Sequence, residues 1–100
     1  MATRNYYESL GEELKDPAKA AAYLEAAYLY EDETGFLMAL RNVAEAHGIA
    51  RVAEQAGLGR ESLYKTLSES GNPKLSTLKS LLDAIGVRMS FTADGRAAAC

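Results

Sequence analysis

One cysteine and one histidine in 100 residues leave little of the side-chain chemistry on which catalytic and metal sites depend. The cysteine, Cys100, has no second thiol to pair with and no cationic neighbour to activate it. Neither a disulfide nor a nucleophile is expected, and a reducing, cytoplasmic compartment fits. His47 closes an apolar stripe at helical spacing, where a structural histidine is far commoner than a catalyst or ligand. No phosphate-cradling glycine loop, metal-ligand spacing or paired-carboxylate motif is present. The reading is therefore of a protein with no catalytic residues, no metal and no cofactor. Long apolar runs are missing too. The longest stretch without a charge is Thr34 to Leu40, seven residues, against the roughly 20 that a membrane span requires. No basic segment followed by an apolar run opens the chain, so neither a secretory signal nor a membrane partner is expected.

What is present belongs to one globular domain: 48% apolar residues, 25% charged, and too short a chain for two cores. The net charge of −3 argues at first against a nucleic-acid partner. Its distribution argues otherwise. Residues 1–50 carry four Lys/Arg against nine Asp/Glu, a balance of −5, whereas residues 51–100 carry seven against five, or +2.

Punctuation divides the chain into helices. Residues 1–13 lack clear periodicity and read as an arm, whose Tyr6 and Tyr7 could pack on the body or on a partner. Asp16-Pro17 supplies a cap and a first helical residue that needs no N–H. Apolar positions Ala20, Leu24, Ala27 and Tyr28 continue that helix to about Glu31. Asp32 caps a second helix, striped by Phe36, Leu37, Leu40, Val43, Ala44 and His47 and closed by Gly48. Short helices follow at Ala50–Ala56 and Arg60–Ser68, with Gly57, Leu58 and Gly59 between them. After the Gly71-Asn72-Pro73 loop, Ser76 is expected to cap a helix through Leu78, Leu81, Leu82 and Ile85, ended by Gly86. Val87 to Thr92 alternates apolar and polar residues as a half-buried strand does, and the chain offers no second strand to pair with it. The expected fold is all-α, about five helices with a short C-terminal β-strand. One domain spans 14–92 and a tail 93–100.

Residues 50–68 carry the functional signal. Two short helices joined by a glycine turn must cross steeply: Ala53 is small at the crossing, Gly57 suits the turn, and Val52, Ala56, Leu58, Leu63 and Leu67 form a buried seam. At about 100° per residue, Arg60, Glu61, Tyr64, Lys65 and Ser68 fall within an arc of roughly 140°, away from Leu63 and Leu67. Arg60 suits a guanine or a phosphate, Lys65 a phosphate, Glu61 a cytosine amino group, and Tyr64 offers a hydroxyl or a stacking face. Gly59 leaves its N–H for a phosphate. Lys74, Ser76 and Thr77 are placed to touch the backbone beside the groove. This spacing resembles the helix-turn-helix of lambda-repressor-like DNA-binding proteins. Thr66 departs from that pattern, since the seam position there is usually apolar or small.

A wider resemblance takes in Leu14-Lys15-Asp16-Pro17, Ala22-Tyr23-Leu24-Glu25-Ala26-Ala27, Phe36-Leu37-Met38-Ala39-Leu40 and Val43-Ala44. It continues through Gly59 to Lys65, Gly71-Asn72-Pro73 and Gly86 to Phe91. This ordered set resembles the addiction-module antidote family of small bacterial antitoxins. The resemblance implies a small basic toxin of the RelE/HigB-like, mRNA-cleaving class as partner, together with operator DNA. With the charge split, it assigns the acidic half to the toxin, through Tyr23, Tyr28, Tyr30, Glu31, Asp32 and Glu33, and the other half to DNA. Alternatively, those tyrosines are partly buried and the acids form a solvated turn. One short helix reads few base pairs, so a homodimer is expected. Leu82, Ile85, Val87, Met89 and Phe91 would form its interface, unless they close the chain's own core. Two other readings remain open: a repressor without a toxin, and a protein-binding adaptor without DNA binding.

Overall fold

Two helices of this chain begin where an aspartate supplies an acceptor that the backbone lacks. The Asp16 carboxylate accepts from the Ala18 amide at 2.9 Å with Pro17 at the first helical position, and Asp32 accepts from Gly35 N–H at 2.8 Å. The computed structural model describes residues 6–95, which form six helices: α1 (Tyr6–Leu14), α2 (Pro17–Tyr30), α3 (Glu33–His47), α4 (Ile49–Gln55), α5 (Arg60–Thr66) and α6 (Leu75–Ala84). The all-α expectation holds for these residues, with one helix more than about five.

The additional helix is α1, where an arm was expected. Its apolar residues Leu10 and Leu14 sit one turn apart, too few to print a period on the sequence. A nine-residue helix is marginal alone, and packing holds this one: Leu14 is 2% exposed and Leu10 lies against the core. The start of the arm and the end of the tail, including Cys100, lie outside the described residues. At α6 the helix begins one residue before the expected cap. Lys74 takes the capping position without a side-chain bond, and Ser76 lies in the first turn.

One core runs through all six helices. Leu14, Leu24, Leu40, Val43, Val52, Leu63, Leu67, Leu81 and Ile85 are buried in it. α3 packs against α1, α2 and α4, and α4 against α5 and α6. His47 plays the structural part expected of it. Its Nε2 lies 2.8 Å from the Leu14 carbonyl oxygen, which can only accept, so Nε2 carries the proton. Nδ1 then faces the Arg51 guanidinium at 3.4 Å. The ring thereby fastens the end of α1 to the end of α3.

Two expectations for the C-terminal part are corrected. Leu82 and Ile85 are 4% and 2% exposed inside the chain's own core, so their side chains present no surface for a second copy. At Val87–Thr92 no strand forms among the described residues. A ladder needs a second edge, and no other described segment provides one.

Candidate functional site

The connection between α4 and α5 is built by backbone rules. The Leu58 amide donates to the Ala53 carbonyl at 2.8 Å, and the Gly57 amide to Glu54 at 3.1 Å. This pair of bonds closes a helix when the residue between them turns left-handed. Gly57 does so, at φ +74°. The chain reverses within Ala56 to Gly59 and lays α5 across α4. Val52, Ala53, Leu63 and Leu67 form the buried seam, none more than 2% exposed, with Ala56 and Leu58 packed at its rim. Thr66 sits half-buried at the seam's edge, which agrees with its departure from an apolar pattern.

Beyond α5 the chain doubles back on the helix it has just left. The Gly71 amide donates to Ser68 O at 2.9 Å. A Cβ at Gly71 would strike the Thr66 carbonyl oxygen, 2.6 Å from that group's carbon and 3.1 Å from Lys65 O. Only glycine allows so close a passage. Leu67 then caps the helix, two residues after Lys65 and one before the expected end at Ser68.

The outer side of α5 carries Arg60, Glu61, Ser62 and Lys65, all exposed, with Gly59 exposed at its cap. Among the described residues the side chains of Arg60 and Lys65 make no ion pair or hydrogen bond, so both cations are available to a ligand. Ser68 is engaged, its hydroxyl donating to Lys65 O at 2.7 Å. Lys74, Ser76 and Thr77 stand apart at the start of α6, with Lys74 and Ser76 exposed and Thr77 half-buried.

Tyr64 departs from the helical-arc reading. It is half-buried, packed against the core, and held by α3. The Arg41 guanidinium lies 4.8 Å over its ring, and its hydroxyl donates to Glu45 Oε2 at 3.4 Å, with Arg41 Nε 3.9 Å from the same oxygen. A cation over an aromatic face contributes about 0.5–1 kcal/mol at a partly exposed site. Arg41 thus joins the surroundings of α5, although it lies 19 residues earlier than Arg60. Only its one-turn spacing from Glu45 hinted at a pair, and nothing local pointed to Tyr64.

The α2–α3 corner presents a different surface. Tyr28, Leu29 and Tyr30 are 74%, 57% and 82% exposed, three consecutive large side chains beside Glu31, Asp32 and Glu33. Leu29 escaped sequence reasoning because it lay between the chosen tyrosines. Tyr28, expected in the apolar stripe of α2, is not part of the core. Tyr23 does the reverse: it packs inward, and its hydroxyl accepts from Asn42 Nδ2 at 2.9 Å to brace α2 against α3. The acids are unequal as well. Asp32 caps α3, Glu31 caps the end of α2, and Glu33 opens the first turn of α3. The corner is tight, since a Cβ on Gly35 would lie 2.6 Å from Glu31 Cβ.

Among the described residues no group of three or more His, Cys, Asp or Glu is placed to hold a metal ion. No helix there is long and apolar enough to cross a membrane. An open groove of about 290 Å³ between α4 and α6 is lined by Gln55, Ser80, Asp83 and Ala84.

No solved structure matches this chain. A Haemophilus influenzae protein described as uncharacterized is 30% identical over 79 residues, covering 79% of this chain and 81% of that protein. The profile of a family described as "Probable addiction module antidote protein" matches residues 6–93, the whole of α1 to α6 and the segment that follows them. With that span of matched residues, the chain belongs to the addiction module antidote family.

Proposed function

We propose that this protein is the antitoxin of a type II toxin–antitoxin module. It neutralises a small basic, RelE/HigB-like mRNA-cleaving toxin and represses its own operon through α5. Membership of the antidote family supports a toxin partner in general. The observation that carries the surface assignment is the row Tyr28-Leu29-Tyr30, exposed beside three acids at the α2–α3 corner. Exposed aromatic side chains supply anchors at low entropic cost, and acids beside them would steer a basic protein whose own substrate is a polyanion. Both activities would operate in the cytoplasm, on a messenger and on an operator.

The DNA half of the proposal rests on Arg60 and Lys65, unpaired on the outer side of α5. Tyr64 belongs to the support of that helix rather than to its reading face. Glu61 on the helix and Glu45 beside it favour a second reading, in which the protein neutralises a toxin without touching DNA, because both repel phosphate.

If a small basic protein is encoded next to this gene, co-expression with it tests the first half. The two should copurify, and growth arrest by the neighbour should be relieved. Tyr28→Ser with Tyr30→Ser should weaken the complex at least tenfold without unfolding the chain, since both side chains are exposed. Normal rescue by that variant would remove the corner from the interface. An operator shift with Arg60→Ala and Lys65→Ala at matched salt tests the second half. Unchanged affinity would favour the DNA-independent reading.

A further inference from the structure

Arg41 is the cation that a division of charge along the sequence misplaces. It belongs to the acidic half, residues 1–50, yet the fold carries it to the flank of α5. Its guanidinium carbon lies 4.8 Å over the Tyr64 ring. Its Nε stands 3.9 Å from Glu45 Oε2, too far for a hydrogen bond. Among the described residues its side chain donates no hydrogen bond at all, and 34% of that side chain is exposed.

An arginine kept for support alone places its donors on nearby acceptors. Arg51 does so, donating to the His47 carbonyl at 3.3 Å and to Gln55 Oε1 at 3.0 Å. Arg41 is instead held by a ring face, which attracts the cation without neutralising it. The Tyr64 hydroxyl donates to Glu45 Oε2 at 3.4 Å, so ring and carboxylate together fix where the guanidinium stands. That place is specific. At about 100° per residue, Tyr64 lies about 40° round α5 from Arg60 and one turn further along, with Lys65 about 100° beyond it. Arg41 and Arg60 therefore share one flank of the helix.

We propose that Arg41 is a ligand for the DNA backbone, its guanidinium taking one phosphate on the α3 flank of α5 with Tyr64 as the platform that aims it. This rests on the reading of α5 as the operator-binding helix. Two considerations select a phosphate. The planar fork of a guanidinium matches phosphate oxygens with two donors at once. Arg41 also stands on a supporting helix rather than on the one that enters the groove, where contacts go to the backbone and position the protein without reading bases. A basic toxin, by contrast, would be repelled by this cation.

The test is the salt dependence of binding by the full chain to two labelled duplexes of equal length, one carrying the sequence upstream of this gene and one scrambled. Arg41→Gln removes the charge and keeps most of the stem. It should weaken both duplexes by the same factor, roughly tenfold, and flatten the slope of log affinity against log salt by about 0.9 for each copy bound. Arg41→Lys keeps the charge and should restore the slope. A merely structural arginine would lower the melting temperature and leave the slope where it was. An unchanged slope in Arg41→Gln, with binding still lost in Arg60→Ala with Lys65→Ala, overturns the phosphate role and leaves the operator reading standing. So does an Arg41→Gln chain that binds both duplexes normally but the toxin weakly. A parent chain that binds neither duplex at low salt removes the operator reading, and this role with it.

Discussion

Replacing Gly71 by alanine adds a single methyl group at the place where the chain passes closest to α5. That methyl would lie 2.6 Å from the Thr66 carbonyl carbon, whereas unbonded carbons settle at about 3.5–4.0 Å. The loop and the last turn of α5 must therefore separate by about 1 Å. Both struck groups are backbone, so no side-chain rotation relieves the clash. Overpacking of this kind costs about 1–3 kcal/mol, and the upper end applies because Leu63 and Leu67, both fully buried, are carried by the same turn. A loss of about 3 kcal/mol corresponds to a Tm lowered by roughly 15 °C in a domain of this size. Thermal unfolding followed by circular dichroism measures it. Gly11→Ala is the control: it lies within α1 with nothing within 4 Å of the added carbon, so it should gain about 0.5–1 kcal/mol. The two alanines must move Tm in opposite directions. A Gly71→Ala protein melting within a degree or two of the parent would show that the loop does not lie against α5 as described.

Three further outcomes follow from the packing. Leu63→Ala, at a fully buried position of the seam, should cost about 2–5 kcal/mol in urea unfolding; a cost under 1 kcal/mol would mean that α5 does not pack as described. A double-mutant cycle of Arg41→Ala with Tyr64→Leu should return a coupling of about 0.5–1 kcal/mol, and additive single effects would dismiss the stacking. His47→Phe leaves the Leu14 carbonyl without its donor and should cost about 1–2 kcal/mol, with amide exchange accelerating first in α1; uniform acceleration along the chain would argue against a local fastening.

Those features that depend on one residue's backbone chemistry were legible in the sequence. Asp16-Pro17 and Asp32 start helices as read, and Gly48, Gly57 and Gly86 take positive φ at the ends of α3, α4 and α6. The seam of Val52, Ala53, Leu63 and Leu67 was legible for a related reason, because periodicity reports which side of a helix faces its neighbour. What escaped depends on distant parts of the chain. α1 is helical because Leu14 finds a core, and nothing in its own nine residues announces this. Tyr64 lies in the outer arc of α5 by angle, yet Arg41 and Glu45 of α3 claim it. Leu82 and Ile85 are apolar enough for either a core or an interface, and periodicity does not distinguish the two. In the same way, Val87 to Thr92 has the pattern of a strand, but a strand is a property of two segments, and the sequence displays one.

The division of the acidic corner has a practical bearing on any test of its electrostatics. Asp32 holds the start of α3 with its carboxylate, and its loss would cost about 1 kcal/mol as a cap. Charge reversal of the three acids together would mix that cost with any effect on a partner. Glu31→Lys alone separates them, and a lowered association rate with weakened salt dependence is the expected result.

The fifteen-residue α3 also acts as a ruler. It begins at the acidic corner and passes beneath Tyr64 at Arg41, eight residues later, a span of about 12 Å at 1.5 Å per residue. That is less than the width of a DNA duplex or of any small folded protein. A toxin seated at the corner and a duplex seated on α5 would therefore be close neighbours along one rigid rod, with Arg41 between them. Whichever arrived second would meet a surface already shaped by the first.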